Sequence, residues 1–314
     1  MAADLSDNAC MGDVHSRIAE HGIETAKAMA ATKAERQAVE AAAAILAEEE
    51  AKLGITHAGF AMTSLPHKRI EEPVWRRTAP QTTLLVASGH DEQGQPIGVP
   101  YGSIARLILL YLQTEAIRTG SPEVELGRSM NAWLSRMSIP IGGRTYQLVA
   151  EQARRISACR LTFFLDRPGT RQFENGAFVA GGISMAGVSD AKQPSLWQER
   201  VRLDDGFLRS LREHPVPVRE EAIRVIGTRS MSIDIYIWLA YRLHILNKPT
   251  PISWLALHGQ FGAGFKHVRQ MKPSFTEALA LALAVYPEAY VDVEPDGLVL
   301  HPSRPAVPKA LGLS

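Results

Sequence analysis

RTYQLVAEQARRISACRLTFFLD, Arg144 to Asp166, decides the reading of the fold, because a polar-faced helix runs there straight into an apolar strand. Arg144, Gln147, Glu151 and Arg154 recur at helical spacing, while Tyr146, Val149, Ala153 and Ile156 share the other side. One side is wet and the other dry, which predicts an amphipathic surface helix. From Gly142 to Arg160 four arginines stand against a single glutamate. What surrounds the helix decides what those arginines are for.

Upstream, YGSIARLILLYLQTEAIRTG is apolar over most of its circumference and predicts a buried helix. VEL predicts a short strand, and SMNAWLSRM a helix that Ser129 can cap. The turn SIPIGG then delivers the chain to Arg144. Downstream, RLTFFL predicts a strand, Pro168 and Gly169 a turn, and AFVAGGI a second strand. The order recurs later in the chain. SIDIYIWLAYRLHIL is an apolar helix, PISW a short strand, a helix runs through Leu257, and GAG is a turn. Ser274-Phe275-Thr276-Glu277 reads as a capping box opening a helix that closes before Pro287, and AYVDV and LVLH flank the hairpin signal EPDG.

This repeated order reads as a divergent duplication of a helix-turn-helix with a β-wing. The expected fold class is α+β, mostly helical, with two tandem winged-helix domains plus an N-terminal helical arm. A single mixed α+β domain is the alternative. The expected boundaries are residues 1–54 for the arm, 55–80 for a basic connector, 81–190 for the first winged-helix domain, 191–217 for a linker, 218–307 for the second, and 308–314 for a tail.

At 314 residues, with 46% hydrophobic and 21% charged, the chain suits two domains with extensions and can bury a core. Its longest apolar run, Ala278 to Tyr286, falls far short of the roughly 20 residues of a membrane span. MAADLSDNACMGDVHSR carries early aspartates and no compact apolar stretch, unlike a secretory signal. The expectation is a cytoplasmic protein with no membrane partner. Cys10 and Cys159 are the only cysteines, far apart, and read as reduced thiols. A net charge of +1 exerts no global pull on polyanions, so nucleic-acid binding must come from local clusters.

Ile18 to Leu53, rich in Ala, Glu and Lys and stopped by Gly54, predicts a helical arm. Its apolar content is mostly alanine, so the arm reads as solvated or loosely docked, with a dimerising helix as the sharper alternative. GFAMTSLPHKRIEEPVWRRTAPQ, punctuated by Pro66, Pro73 and Pro80, reads as an irregular connector. Its Lys68, Arg69, Arg76 and Arg77 are partly offset by Glu71 and Glu72.

Placed third in its set, behind a glycine turn and ahead of a hairpin, the Arg144 helix stands where a helix-turn-helix puts its major-groove element. Arg and Gln pair bidentately with guanine and adenine edges, and clustered arginine contacts phosphate. The candidate DNA-binding residues of the first copy are Arg128, Ser129, Asn131, Arg144, Thr145, Gln147, Arg154 and Arg155. In the second copy the third helix is nearly all apolar and reads as core. Lys266, His267, Arg269 and Lys272, just before it, suit phosphate contact at a helix entry.

Enzyme signals are thin. None of the ten histidines forms the His-apolar-His cluster of a metal-dependent nickase. GQFGAGFKH lacks the Lys-Ser/Thr ending of a phosphate loop and reads as a turn. Asp204 and Asp205 read as a solvated turn rather than a metal site. Tyr236, Trp238 and Tyr241 read as core. No catalytic residue, metal or cofactor is expected.

GFAMTSLPHKR, GVPYGSIARLILLYLQTEAIR, VELGRSMNAWLSRM, REHPVPV and IDIYIWLAYRLH resemble the plasmid-encoded RepA family of bacterial replication proteins, over about Gly54 to Val307. The resemblance implies a role in starting replication at the plasmid's own origin, and together with the residues above it leads to the expectation of a non-enzymatic initiator that binds double-stranded DNA there. By looser analogy with two-winged-helix initiators it also implies a repressive homodimer and hand-over to a host initiator and replicative helicase. The resemblance does not extend to the hexameric helicase of the same name, which needs a nucleotide-binding loop. A strand-nicking enzyme and a winged-helix transcriptional repressor, perhaps of its own gene, are the alternatives.

Overall fold

A computed structural model describes residues 13–48, 52–79, 82–167, 170–181 and 200–308. The chain folds as two compact units, one of residues 54–216 and one joining residues 1–53 to 217–314. The fold is mixed, about half helical with small sheets, rather than mostly helical.

The N-terminal segment forms α1 (Asp13–His21), α2 (Ile23–Met29) and α3 (Lys33–Leu46). Thr32 caps α3 by accepting from the Glu35 N–H, and the Glu35 carboxylate accepts from the Ala31 N–H at 2.8 Å. The expected loosely docked arm is in fact packed. Ala38, Val39, Ala41, Ala42 and Ile45 of α3 are buried, because small side chains let a helix approach its neighbours closely.

Residues 54–216 begin within β1 (Leu53–His57), which pairs with β8 (Pro215–Arg219). Then come α4 (Ala58–Met62) and an antiparallel pair, β2 (Val74–Ala79) and β3 (Thr82–Ala87). The segment expected as an irregular connector is thus ordered. Its prolines interrupt it only locally, and residues from Gly54 to Ala61 are buried. α5 (Gly102–Thr119) is buried over most of its circumference and stops at Gly120, whose φ of 67° suits a left-handed cap. β4 (Glu123–Glu125), α6 (Met130–Arg136), α7 (Gly143–Ala158) and the strands β5 (Arg160–Arg167) and β6 (Thr170–Ala177) follow.

The first hairpin differs from expectation in position and partners. Its second strand ends at Ala177, before most of AFVAGGI, and Pro168 and Gly169 lie outside the described residues. β5 pairs with β3 on one side and β6 on the other, giving a four-stranded sheet in the order β2, β3, β5, β6. β4 instead pairs with β7 (Arg200–Arg202), and α8 (Asp205–Glu213) follows. The expected linker is therefore ordered from residue 200, with Phe207, Leu208 and Leu211 buried; residues 191–199 lie outside the described residues. Asp204 caps α8 through the Phe207 N–H and Asp205 pairs with Arg202 at 2.8 Å, in keeping with a turn.

The other unit continues with α9 (Glu220–Ile226), α10 (Ser230–Arg242), β9 (Thr250–Ser253), α11 (Trp254–Phe261), α12 (Val268–Ala284), β10 (Val291–Glu294) and β11 (Gly297–Leu300). The last three strands form one antiparallel sheet in the order β10, β11, β9, and EPDG makes the expected turn. Gly297 is required there, since a Cβ would meet the Ile252 carbonyl at 1.9 Å. α12 packs on α3 and α10. It starts at Val268, so Ser274 to Glu277 lie inside the helix rather than opening it. Tyr236 and Trp238 are core, as expected, and Tyr241 is half-buried. Among the described residues no helix is long and apolar enough to cross a membrane.

Candidate nucleic-acid interface

In residues 54–216 the candidate surface is built on α7. Gly142 and Gly143 open it, and its dry side, Val149, Gln152, Ala153, Arg155 and Ile156, is buried. Gln152 accepts from the Tyr101 N–H at 2.8 Å, fixing the loop before α5 against the helix. The opposite side is exposed and carries Arg144, Gln147, Leu148 and Arg154, with Thr145 and Glu151 half-buried beside them. Arg144 and Arg154 make no ion pair with a described residue, so their charge is directed at solvent.

Arg155 departs from expectation. It is 5% exposed, donates from Nη1 to the Val99 carbonyl at 3.1 Å and from Nε to Glu151 at 3.1 Å, and lies over the Tyr101 ring at 5.2 Å. It therefore has no free face for phosphate. At helical spacing Arg154 and Arg155 point about 100° apart, so one faces water and the other the interior.

Arg128 and Asn131 are exposed at the entry of α6. Ser129 serves as its cap, accepting from the Ala132 N–H at 3.2 Å. Arg136 donates to the Tyr111 hydroxyl and the Glu125 carbonyl, tying α6 to α5 and β4.

In the other unit, Lys266, His267 and Arg269 are exposed at the start of α12. The His267 N–H donates to Gln270 Oε1 at 3.2 Å. Lys272 is half-buried: its Nζ donates to the Pro295 carbonyl at 3.3 Å and sits 4.7 Å from the centre of the Trp254 ring. It links helix to hairpin instead of reaching outward. Because α12 begins six residues earlier than Ser274, Arg269 belongs to its first turn and the exposed Gln270 stands beside it. Sequence reasoning missed Gln270. The signal for it was His267 followed three residues on by Gln270, a capping-box spacing passed over in favour of the one at Ser274.

Residues 99–254 match the family model described as plasmid encoded RepA protein. That range covers the segments quoted above from VPYGS, beginning at Val99, to IDIYIWLAYRLH, but not GFAMTSLPHKR. Curated protein sequences give no match. Among solved structures, a selenomethionine derivative of domains 2 and 3 of RctB is 10% identical, covering 80% of this chain and 97% of its own, with a TM-score of 0.48. A second structure of RctB domains 2 and 3 is 11% identical over 76% and 93% of the two chains, with a TM-score of 0.43.

Proposed function

We propose that this chain, whose residues 99–254 are those of the plasmid encoded RepA family, is a non-enzymatic replication initiator that binds duplex DNA sequence-specifically at its plasmid's origin. The observation that carries the reading is the exposed side of α7, where Arg144, Gln147 and Arg154 face solvent on a helix whose other side is locked into the core. Bidentate donors at its first turn suit base edges, and Arg154 suits phosphate.

The element orders α5, β4, α6, α7, β5, β6 and α10, β9, α11, α12, β10, β11 support two winged-helix segments. The sheet order β10, β11, β9 favours this strongly in the second. The first carries added strands. Arg128 and Asn131 would flank the groove at α6, and Lys266, His267, Arg269 and Gln270 would approach the backbone from α12. A host initiator, the replicative helicase and a second copy are proposed partners. The non-enzymatic reading rests on the sequence, where none of the ten histidines forms the His-apolar-His pair of a metal-dependent nickase.

A footprint on the parent plasmid's DNA tests the proposal. Protection of repeated sites at the origin is expected, with Arg144→Ala and Gln147→Ala each losing roughly 1–3 kcal/mol of specific affinity. Equal affinity for unrelated duplexes would refute it.

A further inference from the structure

We infer that Leu148 is a specificity residue of the α7 surface, setting its exposed aliphatic side chain against the C5-methyl group of a thymine in the major groove. The inference rests on the duplex-binding reading proposed above and adds to it a position and a base.

Four exposed side chains mark the outer side of α7: Arg144, Gln147, Leu148 and Arg154. Three of them are polar. Leu148 is 38% exposed on a helix that buries Val149, Ala153 and Ile156 completely, so part of an apolar side chain is left in water. It stands one turn beyond Arg144, beside Gln147 and ahead of Arg154. Glu151, the one carboxylate of the helix, is held by Arg155 at 3.0 Å and by the Tyr101 hydroxyl at 3.3 Å. A single exposed leucine is ordinary on a protein surface. What sets Leu148 apart is its place between two arginines that make no ion pair with a described residue.

Those neighbours select what covers it. An apolar protein surface seated on Leu148 would also take Arg144 and Arg154 out of water with no carboxylate to meet them, and that costs more than one leucine returns. A second copy of the chain, in a two-fold contact, would set this cationic side against its own equivalent. A major groove meets all four side chains. Phosphate and guanine take arginine, adenine takes an amide, and the thymine methyl is the apolar feature among the base edges.

The test is a gel-shift titration of the full chain on the origin fragment found by footprinting, with each thymine replaced in turn by deoxyuridine, which lacks only the methyl group. At one position or more the replacement is expected to weaken binding about fourfold, the effect of leaving one methyl unburied. The same replacement is expected to change nothing in Leu148→Ala, because the two partners of one contact are coupled. Leu148→Met is expected to keep the thymine preference, and Leu148→Ala, a change that favours helix, to keep the parent's urea midpoint. The inference is overturned if the parent binds every deoxyuridine duplex as tightly as the thymine duplex, or if Leu148→Ala responds to deoxyuridine as the parent does. A concentration-dependent dimer that Leu148→Ala dissociates would assign the residue to a second copy and overturn it too. In each case a sequence preference that survives leaves the duplex-binding reading standing, whereas a parent chain that binds unrelated duplexes equally refutes that reading and the inference with it.

Discussion

Two adjacent arginines on one helix should respond to the same substitution in opposite ways. Arg155→Ala removes a buried guanidinium and leaves the Val99 carbonyl without its 3.1 Å donor and Glu151 without its 3.0 Å partner. An orphaned buried acceptor costs about 1–3 kcal/mol, and breaking a buried ion pair about 3–5 kcal/mol. Glu151 is itself 34% exposed and can rehydrate, so the lower part of those ranges applies, about 2–3 kcal/mol in all. For a unit of this size that lowers the melting temperature by roughly 4–12 °C. Arg154→Ala, by contrast, removes an exposed side chain and should stay within about 0.5 kcal/mol of neutral. DNA binding should show the reverse. Arg154→Ala is expected to weaken specific and nonspecific binding together and to reduce the salt slope by about one, while Arg155→Ala at a temperature where it is folded keeps the slope. Urea unfolding and a salt titration of binding measure both. If Arg155→Ala is as stable as the unaltered chain and lowers the salt slope, Arg155 is a phosphate contact and the assignment of α7's faces is wrong.

Gly98→Ala should destabilise the same corner, because its φ is 94° and a Cβ would stand 2.1 Å from Arg155 Nη1; a urea midpoint unchanged from the parent chain would contradict this. Stability should also fall with acid. Burial first, then His214, holds the His57 pKa down from 6.5 to about 3, and burial, then Arg106 and Arg77, does the same to His67. The unfolded chain takes up these protons near pH 6.5 and the folded chain only near 3. Their contribution is therefore intact above about 6.5 and is lost as pH drops toward 3, by up to about 1.4 kcal/mol per pH unit for each histidine. Urea midpoints between pH 7.5 and 5 in the parent chain and in His67→Gln check it: equal pH slopes in the two would remove His67 from the account.

Helices were legible wherever periodicity or composition was strong. α5, α7 and α10 stand where their apolar patterns put them, and the split of α7 into wet and dry sides survives at Val149, Ala153 and Ile156. What periodicity could not convey was partner choice. RLTFFL reads as a strand in isolation, but nothing local says that it pairs with β3, nearly eighty residues back, because that pairing depends on tertiary contact. The same gap made residues 55–80 look irregular. Its prolines are visible in sequence, whereas the burial of Ile55, Phe60 and Leu65 is not. Alanine misled in the opposite sense. A face of Ala38, Ala41 and Ala42 has little hydrophobic weight, yet its small size is what lets α3 seat closely. The capping-box pattern from Ser274 to Glu277 marked a false start for α12, which begins at Val268 and carries that pattern inside.

The two hairpin-bearing segments differ in how much helix they leave to the outside, and this ranks them as surfaces. The exposed side of α7 runs from Arg144 to Arg154, and at the 1.5 Å rise of a helix those residues span about 15 Å, enough to follow a groove past several base pairs. α12 is enclosed beyond Leu281, where four successive residues to Ala284 are buried. Only Arg269, Gln270, Pro273, Ser274 and Glu277 break its surface, and Arg229 lies 3.7 Å from Glu277. Its hairpin is drawn in as well. Trp254 donates from its backbone N–H to the Asp296 carbonyl and from Nε1 to the Glu294 carbonyl, and Lys272 holds Pro295. The turn that results is short and carries Glu294 and Asp296, whose charges repel phosphate. A helix that offers little more than two turns, beside an acidic turn that cannot follow the backbone, suits anchoring better than reading. Under the proposed function, base recognition therefore falls chiefly to α7, while Arg269 suits phosphate contact.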